Sequence, residues 1–501
     1  MKEKSLLIPD GAKSNFIFQF AYQVVILVLP LIVSPYLTRT LGSNAIGVYT
    51  YTYTIAYYFV IFAMLGINRY GQRIIAQHRN DIDDLRTTFW SLFSVHIIAA
   101  FLSLFAYFVY VFSWCSNNVD VAFTQAIYVF SAVVDITWLF YGLEKFKIIT
   151  IRNAFIKVIE TICIFIFVKN ASDVIVYTII MSFSVCLGQI VMLPQVIHAI
   201  PPIRFSWVDM KKHIKPLFTL FAAVIAVTLY TVFDKTLLGF MTTKDDVAFY
   251  EYSDRIVKIP RTFITIIGTV LFPRACRYAV EKNINKLKKN AEYCLLITSM
   301  IGFAASFGLA SVGKLFAVKY YGEAFAVCGE TIIYMSPIIV IMGLGETVRQ
   351  SFIFPLGKDK EMVYILFINA IVNLILSASL IPVLGIYGAI IGTVSAETFG
   401  LFLSIWRCKQ YISVWGMIKG VCPFTISGII MFLSVRFTAQ FIDGTFIALF
   451  VQIFVGVFVY VILMLIYGLV LNDTLKQLYR SIIDGILKEI KNCRATHSGR
   501  H

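Results

Sequence analysis

Charge is what this sequence has least of. Only 14% of its residues are Asp, Glu, Lys or Arg, where a soluble domain carries about a quarter. That scarcity excludes a soluble enzyme and a disordered chain, both of which need polar surface to stay in water. Catalytic signatures are missing too. There is no Gly-rich loop ending in Lys-Ser/Thr, no His-Glu-x-x-His and no Gly-x-Ser-x-Gly. The expectation is therefore no enzyme activity, no catalytic residue, no cofactor and no metal. The nine cysteines include no Cys-x-x-Cys pair, and most lie in apolar runs where Cys acts as a small hydrophobe. A secreted disulfide scaffold is excluded; Cys115 and Cys328, near one expected face, are the one pair to consider. No small-residue cleavage site follows the first apolar run, so that run is expected to be a retained span.

What is abundant is apolar. Hydrophobic residues make up 59% of the 501, with 44 Phe and 27 Tyr, and the mean hydropathy is +0.81. A bilayer core about 30 Å thick takes about 20 helical residues to cross. Fourteen segments qualify: residues 16–37, 45–67, 88–112, 121–142, 151–168, 174–197, 216–240, 247–272, 291–313, 327–354, 362–384, 387–406, 422–437 and 446–471. The expected fold is an all-α polytopic membrane protein of 14 transmembrane helices.

The net charge of +15 invites a nucleic-acid reading, and its distribution removes it. Of the basic residues between spans, 31 fall on one side and six on the other. That asymmetry is the positive-inside pattern, and it places both termini in the cytoplasm. Loops on both faces are short, so any chemistry happens within the membrane. After the last span, Leu475, Leu478, Ile482, Ile486 and Ile490 recur at helical spacing among basic residues. Residues 472–501 read as an amphipathic cytoplasmic helix on the anionic leaflet.

The chain also reads as a duplication. Leu41-Gly42 with Gly47-Val48-Tyr49-Thr50-Tyr51 follows the first span, and Leu238-Gly239 with Ala248-Phe249-Tyr250-Glu251-Tyr252 follows the seventh. Six spans restore the starting orientation, as in transporters built of parallel repeats. The expected organisation is residues 1–205 as an N-terminal six-span lobe, 206–410 as a C-terminal six-span lobe, 411–471 as two further spans, and 472–501 as the tail.

Ionisable residues inside spans cost roughly 2.5–3.5 kcal/mol each and mark cavities or partners. The eighth span concentrates Glu251, Asp254, Arg255, Lys258 and Arg261 within an arc of about 120° at 100° per residue. Pairing at i,i+4 would join Glu251 to Arg255 and Asp254 to Lys258. Arg261, about 16 Å from the span's end, is then left without a local anion. A central guanidinium in that position needs a cavity, water or an anionic ligand. Lys157 with Glu160 and Glu346 with Arg349 stand at i,i+3, where a structural salt bridge competes with a binding role. Asp135 has no basic residue in its own span; a protonation or cation site and a hydrogen bond to a neighbouring helix both fit it. Asp234 and Lys235 lie in the seventh span and Glu397 in the twelfth. Tyr49, Tyr53 and Tyr57 share one face, suited to sugar stacking or to ordinary packing. Pro30, Pro35 and Pro260 are expected to bend their helices.

One stretch is more specific. The run Pro30-Leu31-Ile32-Val33-Ser34-Pro35-Tyr36-Leu37-Thr38-Arg39-Thr40-Leu41-Gly42, then Gly47-Val48-Tyr49, Leu65-Gly66-Ile67 and Gln72-Arg73-Ile74-Ile75-Ala76, resembles the polysaccharide transporter family. These are the Wzx-type flippases of the multidrug/oligosaccharidyl-lipid/polysaccharide exporter superfamily. The resemblance covers the chain in span order. It implies two pseudo-symmetric six-helix lobes about a cavity, plus two extra C-terminal helices. It implies alternating-access flipping of undecaprenyl-pyrophosphate-linked oligosaccharide from the cytoplasmic to the outer leaflet of the bacterial cytoplasmic membrane, for O-antigen, capsule or exopolysaccharide. Arg255, Lys258 and Arg261 would offer donors to the pyrophosphate, with Lys157, Arg349 and Tyr49 as further substrate-binding candidates. Asp135 or Asp234 would hold a coupling ion. Membrane lipids, the polysaccharide polymerase and the pathway's glycosyltransferases are the implied partners. A multidrug/cation antiporter and a lipid II flippase of the same superfamily are the alternatives. The antiporter would normally have twelve spans and an acidic cavity.

Overall fold

The computed structural model describes residues 12–203, 206–442 and 444–470. Each of the fourteen expected spans falls on helix among those residues, some with short breaks, and no strand occurs among them. In chain order the helices are α1 (Ala12–Thr40), α2 (Gly42–Met64), α3 (Ile67–His78), α4 (Ile82–Ser113), α5 (Val119–Thr124), α6 (Ala126–Val133), α7 (Thr137–Gly142), α8 (Phe146–Phe167), α9 (Val174–Ile190) and α10 (Leu193–Ala199). They continue as α11 (Trp207–Met241), α12 (Lys244–Val280), α13 (Ile284–Phe316), α14 (Val327–Met335), α15 (Pro337–Val348), α16 (Asp359–Leu384), α17 (Ile386–Arg407), α18 (Val414–Thr438) and α19 (Phe446–Val470). A π-helical segment, Arg349–Ile353, prolongs α15. The expected amphipathic helix at 472–501 lies outside the described residues.

Twelve of the segments are long and apolar enough to cross a membrane. The other two expected spans, α8 and α11, have ample length at 22 and 35 residues. The apolar stretch of α8 carries Arg152, Lys157 and Glu160, whereas residues 217–233 of α11 form an uncharged apolar run ahead of Asp234 and Lys235. The protein is an all-helical, multi-pass membrane protein.

By packing, the chain forms two compact units, and the boundary in mid-chain falls within α12, between Tyr252 and Ser253. The first comprises Met1–Tyr252, Tyr320–Val327 and Ala370–Gly392. Its largest apolar cluster joins Phe89, Leu92, Trp138, Phe140, Ile67 and Ile75. Lipid tails are as apolar as Leu, so close approach rather than water expulsion holds such helices together. Glycine permits that approach at Gly47, where an added Cβ would lie 1.7 Å from the Lys244 carbonyl oxygen. Lys244 in turn places its ammonium 3.5 Å from the centre of the Tyr51 ring. Between α2 and α3 the chain turns through Leu65 and Gly66, both at positive φ.

The prolines of α1 are accommodated inside one helix (Ala12–Thr40). Pro35 has no N–H for the Leu31 carbonyl four residues back, and the Tyr320 hydroxyl donates to that carbonyl instead. Ser34 donates to Pro30 O at 2.6 Å. The Tyr320 side chain thus re-satisfies the carbonyl that Pro35 releases, as lipid requires.

The second unit comprises Ser253–Lys319, Cys328–Asn369 and Thr393–His501. Helix α13 is packed against α15, α18 and α19. Phe303, Val340, Leu344, Phe424, Met431, Tyr460 and Met464 form one buried cluster there. Gly268 of α12 lets Gln350 lie against the helix backbone, with the amide oxygen 2.2 Å from where a Cβ would stand. The described cysteines are all free thiols, so Cys115 and Cys328 form no disulfide.

Candidate functional site

In the second unit, the α12 face resolves into a single shared anion. Lys258 Nζ lies 2.6 Å from Asp254 Oδ2, and Arg261 Nη1 lies 3.8 Å from Asp254 Oδ1. The expectation that Arg261 lacks a local anion is corrected here. Seven residues make two helical turns, so Asp254 and Arg261 share a face, and a long guanidinium spans the gap. Asp254 is buried, while Lys258 is exposed over half its side chain and Arg261 over a quarter. One carboxylate against two cations leaves a positive surplus on this face. Arg255 is half-buried on the same helix.

Glu251 has a partner outside its own helix. In the first unit, Glu251 is bridged by Lys235 of α11. One residue earlier on α11, Asp234 is 7% exposed. It accepts hydrogen bonds from Tyr250 Oη at 3.0 Å, Ser377 Oγ at 3.2 Å and Asn373 Nδ2 at 3.5 Å. Three neutral donors from α12 and α16 thus converge on a buried carboxylate.

Asp135 has a different job in the backbone. Its Oδ1 accepts from Thr137 N at 2.8 Å and Thr137 Oγ1 at 2.6 Å. The carboxylate caps α7, at the break between α6 and α7 within the fourth span. Lys157 is closed onto Glu160 at 2.5 Å. Arg349 is closed onto Glu346 at 3.0 Å and is buried, its Nε without a partner. Tyr49 stacks on Tyr53 at 5.9 Å and meets Tyr177 edge-on at 4.6 Å. Tyr53 in turn stacks on Tyr57 and is hydrogen-bonded to Tyr128 at 3.3 Å.

The candidates therefore divide. Tyr49, Asp135, Lys157 and Asp234 belong to the first unit, and Arg255, Lys258, Arg261 and Arg349 to the second. Sequence reasoning missed Gln350, which donates to Glu346 at 2.7 Å and joins the Arg349 pair. Gln350 beside Arg349 in a span was the available signal. It also missed a cavity of about 510 Å³ within the second unit, lined by Lys288, Glu292, Ser299 and Phe352 on one side and Tyr411, Gly416 and Gly420 on the other. Two glycines one turn apart on α18 open that wall.

The family of polysaccharide biosynthesis proteins has a sequence model that matches residues 12–279. The chain belongs to that family. Two curated relatives accord with the polysaccharide biosynthesis assignment. A "Putative O-antigen transporter" of Shigella dysenteriae is 23% identical over 388 residues, spanning 77% of this chain and 97% of that protein. A protein of the same name from Escherichia coli (strain K12) is 24% identical over 393 residues, spanning 77% and 94%. Among solved structures, the lipid II flippase MurJ in an inward closed conformation superposes with a TM-score of 0.72 at 15% identity, covering 91% of this chain and 99% of that one. An inward-facing MATE-family multidrug transporter of the MOP superfamily superposes at 0.56 with 13% identity, covering 79% and 96%. At these identities the likeness establishes the fold. This polysaccharide biosynthesis family member has the fold of the MOP superfamily.

Proposed function

We propose that this polysaccharide biosynthesis protein is a flippase. It moves undecaprenyl-pyrophosphate-linked oligosaccharide repeat units from the cytoplasmic to the outer leaflet by alternating access, for O-antigen, capsule or exopolysaccharide. The relatives named as O-antigen transporters support the substrate class. The observation that carries the chemistry is the unbalanced α12 face, where Lys258 and Arg261 share Asp254. A pyrophosphate head group would complete that balance, with Arg255 adding a forked donor set. Desolvated cations gain most from such an anion because the bilayer offers no competing water. Each unit carries further candidates of its own: in the first, Tyr49 and its stacked neighbours as aromatic faces for sugar and Lys157 once released from Glu160; in the second, Arg349 once released from Glu346. The cavity beside α18 offers room for part of a lipid chain.

Asp234, held by Tyr250, Ser377 and Asn373, is the better coupling-ion candidate. Asp135 is committed to capping α7. The basic-residue asymmetry supports a bacterial cytoplasmic membrane location with both termini in the cytoplasm. Polymerase and glycosyltransferases of the pathway are the natural neighbours of such a step.

The test is flipping of a fluorescent undecaprenyl-pyrophosphate oligosaccharide in proteoliposomes, comparing wild type with Arg261→Ala and Arg255→Ala. Loss of flipping in monodisperse variants is expected. Flipping unchanged by both would assign those cations to structure. Organic-cation efflux in place of flipping would favour the antiporter reading.

A further inference from the structure

Glu397 is 2% exposed in α17, and Asn369 is 1% exposed in α16. Oε1 of Glu397 and Oδ1 of Asn369 are both buried without a hydrogen-bond partner among the described residues. The two helices run antiparallel here. Arg407 meets Glu361 at 3.0 Å at one end of the contact, and further in, the Asn369 amide lies against Gly400. An added Cβ on Gly400 would stand 2.1 Å from Asn369 Nδ2 and 2.4 Å from Oδ1. Glu397 is three residues before Gly400, one turn along the same face. Counting from Arg407, it lies about 15 Å into the span.

Both orphaned atoms are acceptors. A carboxyl oxygen and an amide oxygen buried about one helical turn apart along this contact, each without a partner, are costly in lipid. Charged groups of the neighbouring elements do not supply one. Arg407 is engaged by Glu361, Arg349 by Glu346, and Lys258 and Arg261 by Asp254. One proton satisfies both acceptors at once, because a carboxylic acid gains an O–H donor. A sodium ion would need about six oxygens in place of two.

We propose that Glu397 is a proton-binding site. The carboxylate takes a proton from bulk water, the new O–H donates to Asn369 Oδ1, and the proton leaves by the reverse step. Exchange requires water to reach the site, which ties occupancy to a change of conformation. Binding stands by itself; its use to drive transport rests on the flippase reading.

The experiment is infrared difference spectroscopy of the full chain in lipid membranes as pH is stepped. A protonated-carboxyl band is expected in wild type and absent in Glu397→Gln. Asn369→Leu should shift that band to higher frequency as its hydrogen bond is lost. Identical spectra in wild type and Glu397→Gln overturn the proposal, as does a band that follows sodium at fixed pH. An unshifted band in Asn369→Leu overturns the partnership with Asn369. Should Glu397→Gln fail to fold, Glu397→Asp serves on the same readout, with a displaced band expected and an unaltered one overturning. Flipping measured alongside separates the two readings. A Glu397 band without any flipping leaves this site standing and removes the flippase reading. Flipping by Glu397→Gln that keeps its full response to a proton gradient removes the coupling role.

Discussion

Two ionic groupings in this protein use the same chemistry and end differently. In α8, Lys157 and Glu160 close on each other at 2.5 Å, one cation for one anion. In α12, Lys258 and Arg261 both lean on Asp254. The first is balanced and has nothing to offer a ligand while the pair is closed. The second carries a surplus charge in a span, and a surplus is what an anionic head group can use. Counting charges within a span therefore separates structural pairs from binding candidates better than burial does, since Asp254 and Glu160 are both buried.

The largest expected effect breaks that contrast. Arg261→Met, which leaves Asp254 paired with Lys258, should lower flipping by about one to two orders of magnitude, as loss of about 1.5–3 kcal/mol of charge-assisted contact would, with little change in thermal stability. Lys157→Met should do the reverse to stability. It strands Glu160 in lipid at a cost of about 2–3 kcal/mol, toward the low end because Lys157 is partly exposed. Adding Glu160→Leu should restore most of that loss. Thermal unfolding of the three variants beside wild type checks the pattern; no recovery in the double variant would show that the pair does more than neutralise itself.

A buried titratable group with only neutral partners sharpens the comparison. His213 of α11, just outside the seventh span, is 2% exposed. Its Nδ1 meets Tyr70 Oη at 2.8 Å and its Nε2 meets Ser91 Oγ at 3.2 Å. Burial pushes its pKa down to about 4, with the positive charge of Lys212 and the nearby His78 adding to the effect and Asp209 opposing it. The folded chain then binds fewer protons than the unfolded chain between pH 4 and the ordinary 6.5. Stability from this group is full above pH 6.5 and is lost as pH falls toward 4. Thermal stability should drop between pH 7 and pH 5 in wild type, and the drop should be smaller in His213→Gln.

Legibility in the sequence followed the range of the interaction. Helical spans follow from apolar runs, and the Lys157–Glu160 and Glu346–Arg349 contacts follow from i,i+3 spacing. The Arg261 contact with Asp254 was missed because a neighbour rule that stops at four residues does not reach seven. Asp234 is beyond any local rule: Ser377 is 143 residues away in sequence. The pairing of Glu251 with Lys235 spans 16 residues and a helical hairpin, so side-chain spacing on one helix does not reveal it. The orphaned acceptors of Glu397 and Asn369 are invisible until two helices are placed side by side, because an unpaired atom is a property of its surroundings.

The smallest expected effect tests a neutral contact of the same long-range kind. Tyr320 donates to the Leu31 carbonyl, which Pro35 leaves without its helical partner. The nearby Thr38 hydroxyl donates to the Tyr321 carbonyl at 2.7 Å, so the same stretch is tied to α1 a second time. Tyr320→Phe keeps the ring and removes only the donor. The cost should be about 1–2 kcal/mol: a net hydrogen bond plus part of the penalty for a stranded carbonyl. The charge account on α12 is untouched by this change, so flipping per folded molecule should remain near wild type while the melting temperature falls by a few degrees. A melting temperature equal to wild type would mean that water or a repacked helix already serves the Leu31 carbonyl. The proline would then be tolerated by the helix itself, with no help from the π-helical segment Ala317–Tyr321.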